Sequence, residues 1–146
     1  MNIADIEKEW KQDAPIDITK MDDVSTSVPS LHAKYVSLLS NVKMNTMRVE
    51  REFLKIRRIR TAYYNGTLTQ PELVHYGWEQ YQEKRPLKTV LDELLQTDDV
   101  LMDTRMKIEE LGIMKEFLES IMKSIHSRTY DVKNIIEWQK YSNGMV

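Results

Sequence analysis

"IEELGIMKEFLESIMKSI" (Ile108–Ile125) decides the fold. Ile108, Leu111, Met114, Leu118, Ile121 and Ile125 step by three and four, which gathers them on one face of a helix. A sustained stripe of this kind is close to a coiled-coil seam. A second row, Ile113, Phe117 and Met122, widens it. One antiparallel partner helix would leave part of such a face uncovered. Leu111, Met114, Leu118, Ile121 and Ile125 are therefore expected to include an intersubunit seam.

Outward from this stretch the helical pattern repeats. From Thr89 it opens with Leu91, Leu94 and Leu95, and Asp98 either caps a new helix or lies within a continuous one. "HSRT" (126–129) suggests a break, and Val132, Ile135, Ile136 and Trp138 mark a last amphipathic helix over 130–141, with "SNGMV" as a frayed tail. Met106, Met114 and Met122 recur at eight-residue steps, read as core filling. Upstream, Leu31, Tyr35, Leu38, Val42, Val49, Phe53 and Ile56 predict one long helix over 31–64, capped by Ser30 and stopped by Gly66 in a left-handed turn. Residues 65–88 form a connector rich in Tyr76, Trp78 and Tyr81, with Pro71 suited to the first turn of a short helix. It reads as a flap over the core in preference to a binding platform. Residues 13–30, with two prolines and many Asp, Ser and Thr, read as a linker. Ile3, Ile6 and Trp10 share a face of a short helix over 2–12, able to dock on its own chain or on another protein. No stretch alternates as a strand would, so the fold class is all-α, a coiled bundle of long helices in a single helical domain, with residues 89–142 supplying packing and oligomerisation.

Composition agrees and narrows the function. The 146 residues contain 30% charged and 41% hydrophobic residues, four Gly, four Pro and no Cys. Without cysteine, disulfides, thiolate catalysis and Cys-based metal sites are excluded. The start "MNIADIEKEW" is too acidic for a signal or transit peptide, and no apolar run approaches the roughly 18 residues of a membrane span. The net charge of −2 hides an internal asymmetry. Residues 1–24 hold seven acids against three lysines, whereas 43–60 hold Lys43, Arg48, Arg51, Lys55, Arg57, Arg58 and Arg60 against Glu50 and Glu52. Segregation of this kind points to an anionic partner.

Catalytic chemistry is not evident. His32, His75 and His126 lack ligand-spaced companions, and there is no Gly-rich phosphate loop. Asp98, Asp99 and Asp103, and likewise Glu109 and Glu110, read as a solvated acidic face, because acid–base work needs a cleft and shifted pKa values. No cofactor and no metal are implied. The basic segment is more informative. On a helical wheel Val49, Phe53, Ile56 and Tyr63 take one side. Lys43, Arg48, Arg51, Lys55 and Arg58 spread over the other, with Arg57 at the margin. Arg60 falls on the apolar stripe, which is costly in a core, so it is expected to project from the free helix end beside Tyr63 and Tyr64. Bases next to aromatic rings suit single-stranded nucleic acid.

These residues carry a resemblance. "RRIRTAYYNG" (57–66) resembles the basic-plus-tyrosine segment of the UvsY family of tailed-phage recombination mediators, through Arg58, Arg60, Tyr63, Tyr64 and Gly66. The family often has lysine where this chain has Arg58, which keeps the charge and changes the shape. "MNIADIEKEWKQDAPID", "LHAKY" and "SRTYDVKNIIEWQKY" are similar to the family's acidic start, long helix and C-terminal helix, especially in cyanophage-type members. The resemblance implies a non-enzymatic protein in the cytoplasm of the infected bacterial host. It implies a closed homo-oligomer, a hexamer or heptamer ring, that binds single-stranded DNA. It further implies that the protein helps a RecA-like phage recombinase displace the phage single-strand-binding protein. Arg58 and Arg60 would hold phosphates, Lys55 and Arg57 would add electrostatic support, and Tyr63 or Tyr64 would stack. The alternative is a helical adaptor or assembly chaperone whose basic face is only solvated. An enzyme with a carboxylate site at Asp98, Asp99 or Asp103 is the remaining rival.

Overall fold

The computed structural model describes residues 1–144; Met145 and Val146, the end of the expected tail, lie outside them. Five helices follow in order among the described residues, with no strand: α1 Ile3–Asp13, α2 Met21–Tyr64, α3 Gln70–Tyr76, α4 Lys88–Gln96 and α5 Asp99–Ser142. The chain divides into two compact units, residues 45–110 and residues 1–44 with the chain from Leu111 onward. Helices α2 and α5, each of 44 residues, contribute to both.

The unit containing both termini is built on the stretch that decides the fold. Leu111, Met114, Leu118, Ile121 and Ile125 are all buried, with Leu118 fully so. The face expected to include an intersubunit seam is thus already covered within one chain. The stripe is wide for one helix, and the unit that holds it also contains α1 and the first half of α2, the elements available to cover it. Ile6 of α1 and Tyr35 of α2 are completely buried, and Trp10 meets Tyr35 edge to face at 5.5 Å. Polar contacts fix the docking of α1. Lys34 Nζ lies 2.6 Å from both Glu9 and Asp13, and Tyr35 donates its hydroxyl to Asp13 at 2.8 Å. Arg128 donates to the carbonyls of Asp13 and Ala14, the orphan acceptors at the end of α1. Arg128 lies where a break was expected, yet α5 continues through 126–129 without one.

The linker is also shorter than its composition suggests. Only residues 14–20 join α1 to α2. Asp17 folds this segment by accepting from the Thr19 amide and hydroxyl. Asp22 and Asp23 then favour the positive N-terminal end of α2, and buried Val24 anchors its first turns. Pro29 consequently sits inside the helix rather than ahead of it. It forfeits one hydrogen bond, to the carbonyl of Ser25. The Ser and Thr hydroxyls that suggested a linker bond back to the helix, Thr26 to the carbonyls of Asp22 and Asp23 and Ser27 to that of Val24.

In the other unit Tyr64, Leu95 and Leu101 form the core, with Phe53, Ile56, Tyr63, Tyr81, Leu91 and Leu94 packed against it. Gly66, at φ +69°, ends α2 as expected, with Gly66 and Thr67 amides donating to the carbonyls of Tyr63 and Ala62. Pro71 lies in the first turn of α3, and a reciprocal Thr69–Glu72 capping box starts that helix. The chain breaks between α4 and α5 at Thr97 and Asp98. Asp98 Oδ1 accepts from the Leu101 amide at 3.1 Å and caps α5. Of the eight-spaced methionines, Met114 is buried and Met106 is 62% exposed. Eight residues advance a helix by more than two full turns, so the three do not share a face.

Candidate nucleic-acid interface

The basic segment lies wholly in the 45–110 unit, and the structure sorts its residues into two groups. Arg60 is where the wheel put it, on the apolar side of α2, but it does not project from a free end. Its side chain is only 12% exposed and its guanidinium lies 2.6 Å from Asp98, whose side chain is 0% exposed. Arg60 Nε donates to Asp98 Oδ2 at 2.8 Å, and Tyr64 donates its hydroxyl to the same oxygen at 2.5 Å. The guanidinium also lies 4.3 Å from the Tyr63 ring centroid and 4.5 Å from that of Trp78. The apolar stripe has not ended at residue 60, because the connector returns over it.

The electrostatics follow from this geometry. Burial alone would raise the Asp98 pKa, but hydrogen bonds from Tyr64, Arg60 and the Leu101 amide hold the carboxyl below its usual range. Burial and the Asp98 charge push the Tyr64 hydroxyl up. Asp98 is thus a buried, ionised anchor that closes the start of α5 onto the end of α2. It is not part of a solvated acidic face, which corrects the sequence reading. A hollow of about 370 Å³ borders the cluster, with Asp98 and Asp99 in its lining. Arg60 lines the same hollow and neutralises Asp98, so the hollow offers no unpaired cation to a phosphate.

The second group faces away from that core. Lys55, Arg57 and Arg58 are exposed, and none of them forms an ion pair with a described residue. Arg51, Lys55 and Arg58 line one shallow groove along α2 with Leu54 and Ile59. Their spacing of four and three puts them on the side opposite Phe53, Ile56 and Arg60. Arg57 lies at the margin, in a separate groove with Phe53, Asp92 and Arg105. Tyr64 is buried and Tyr63 half-buried, Tyr63 against Trp78 at 5.6 Å and Tyr81 at 5.7 Å. The expected flap is therefore present, formed by Trp78 and Tyr81. The sequence reading did not include Arg51 among the site residues. Its signal is the spacing to Lys55 and Arg58.

Among the described residues, no group of three or more His, Cys, Asp or Glu is placed to hold a metal ion. None of the described helices is long and apolar enough to cross a membrane. What the arrangement offers chemically is a row of solvated cations on a rigid helix, able to meet a polyanion without first breaking internal ion pairs.

Three comparisons bear on the identity of that polyanion. The family model described as "Recombination, repair and ssDNA binding protein UvsY" matches residues 9–145. The recombination protein uvsY of Enterobacteria phage T4 is 27% identical over 144 residues, 99% of either chain. Two crystal structures of the bacteriophage T4 recombination mediator protein UvsY superpose with TM-scores of 0.80 and 0.82 at 22% identity. The first covers 97% of this chain and 99% of the T4 chain, the second 98% of each. At that identity the superposition establishes the shared fold.

Proposed function

Because this chain belongs to the UvsY family of recombination, repair and single-stranded-DNA-binding proteins, we propose that it is a recombination mediator. It binds single-stranded DNA and helps a RecA-like phage recombinase assemble on strands covered by the phage single-strand-binding protein, in the cytoplasm of the infected host. The observation that carries this reading is the exposed row Arg51, Lys55 and Arg58, with Arg57 at its flank. Lys55, Arg57 and Arg58 meet the phosphates, arginine by its planar fork and lysine as a point charge. Arg60, Tyr63 and Tyr64 serve the site from beneath by fixing the end of α2. One protomer neutralises few phosphates, so a closed homo-oligomer, a hexamer or heptamer ring, supplies the repetition that turns weak contacts into avidity. Ile113, Tyr130, Trp138 and Tyr141 of α5 are exposed and are better placed for contacts between copies than the buried stripe.

The test is a loading assay. The recombinase is added to long single strands coated with single-strand-binding protein, and filament formation is followed with and without this protein. The parent should accelerate assembly, and Lys55→Ala with Arg58→Ala should lose most of the acceleration while keeping the parent's helical content. A double variant that accelerates loading as well as the parent would remove the basic row from the mechanism.

A further inference from the structure

Neither the phosphate row nor the packing of the flap accounts for every group of the aromatic connector. Its groups differ in what the fold asks of them. Leu73, 5% exposed, anchors α3 to the core. Tyr81 packs edge-on against Tyr64 at 5.1 Å and 87°. Trp78 is braced from within by Tyr63 and Arg60, and Arg60 is itself fixed by Asp98. Tyr76 has no such internal duty. Its ring stacks on Trp78, with centroids 4.6 Å apart and planes within 20°, yet the residue is 39% exposed.

The backbone arranges this stack. Gly77 between the two rings has φ +70°, in the left-handed region that a side chain disfavours. A Cβ there would meet nothing within 4 Å, so the turn itself is what requires glycine. It ends α3 and lets Tyr76 and Trp78, two residues apart, lie face to face. His75 meets Tyr76 at 4.9 Å and 75°. The pair is thus ordered in advance of any ligand, which lowers the entropy cost of binding.

A flat ring that is rigidly backed and open to solvent adds little to a core and offers a surface to another flat ring. Single-stranded DNA carries both groups that this unit can receive, phosphates for the cationic row and bases for an aromatic face. We propose that Tyr76, carried on Trp78, is a stacking platform for one base of the strand whose phosphates lie along Arg51, Lys55 and Arg58. This rests on the reading of the chain as a single-stranded-DNA-binding protein. A helix is about 10–12 Å across, so a strand passing over the end of α2 reaches from Arg58 to the platform within a few nucleotides. The platform takes the stacking role that burial denies to Tyr64, and it is indifferent to sequence because every base has a π-face.

The test compares two fluorescent oligonucleotides of equal length, oligo-dT and an abasic strand with the same phosphates. Fluorescence anisotropy is read for the full-length parent, Tyr76→Ala, Tyr76→Phe and Arg58→Ala. Tyr76→Ala should weaken oligo-dT binding by about tenfold and leave abasic binding and the salt slope unchanged, while Tyr76→Phe keeps the parent's affinity. Arg58→Ala should weaken both strands. The platform is overturned if Tyr76→Ala binds oligo-dT like the parent, or loses equally on both strands. If that occurs while Arg58→Ala still loses on both, the phosphate row stands and the platform alone is wrong.

Discussion

Asp98→Ala should destabilise the 45–110 unit by about 3–5 kcal/mol, the usual cost of removing one member of a buried ion pair. The carboxylate receives Arg60, Tyr64 and the Leu101 amide. Its loss strands a guanidinium that is 12% exposed, leaves a buried tyrosine hydroxyl without its acceptor, and uncaps α5. Asp98→Asn should cost less, because its amide oxygen keeps the cap. The effect is pH-dependent in a defined direction. The folded pKa of Asp98 lies below its unfolded value, so the ionised group stabilises the protein above about pH 4, near the model-peptide value. That contribution is lost as pH falls through the folded pKa. In urea titrations the parent's advantage over Asp98→Asn should hold from neutral pH to about pH 5 and shrink below pH 4. An advantage that grows on acidification would mean that the carboxyl is protonated in the native state.

The second large effect separates a core from a seam. Ile121 is 2% exposed and Ile113, on the same helix, 55%. Ile121→Asp should abolish cooperative unfolding, since an unpaired buried charge costs several kcal/mol. Ile113→Asp should change monomer stability by no more than about 0.5 kcal/mol. Circular dichroism melts and sedimentation together decide the matter. A soluble, fully helical Ile121→Asp protein of reduced assembly mass would place the seam on the stripe after all.

The burial of the stripe shows what the periodicity of α5 could reveal. Steps of three and four from Leu111 to Ile125 identify the buried side of a helix, and they did so correctly. They do not say which elements cover it, and α1 had not been counted as a cover because its docking rests on Lys34, Tyr35 and Arg128, at distances in sequence that no pattern connects. Pro29 misled for a local reason. Read as a breaker, it moved the start of α2 ten residues too late, although a helix interior tolerates one lost hydrogen bond when Val24 is buried beneath it. Gly66, Pro71 and Thr69 were legible because turn and cap chemistry is local.

The site follows the same division. The wheel placed Arg60 on the apolar stripe, and the structure has it there. The wheel could not supply Asp98, 38 residues away, and without that partner a buried arginine looked implausible, so the side chain was sent outward. Arg58 and Lys55 needed no partner, and their exposure was legible from spacing alone. Tyr76 and Trp78 were visible as aromatic residues, but only the turn at Gly77 brings their rings face to face.

The central claim is that phosphates meet the outward row of α2 while the Arg60–Asp98 pair supports it from beneath. The most direct measurement is the salt dependence of single-stranded DNA affinity for two folded variants. Each phosphate contact contributes roughly 0.7 to the slope of log affinity against log salt, so Lys55→Ala with Arg58→Ala should flatten the slope by about 1.4 per strand segment bound. Arg60→Met with Asp98→Asn removes a pair of zero net charge and should leave the slope near that of the parent, with any loss of affinity from the weakened support equal at every salt concentration. A parent-like slope in the Lys55 and Arg58 variant, with a flattened one in the Arg60 and Asp98 variant, would contradict the account.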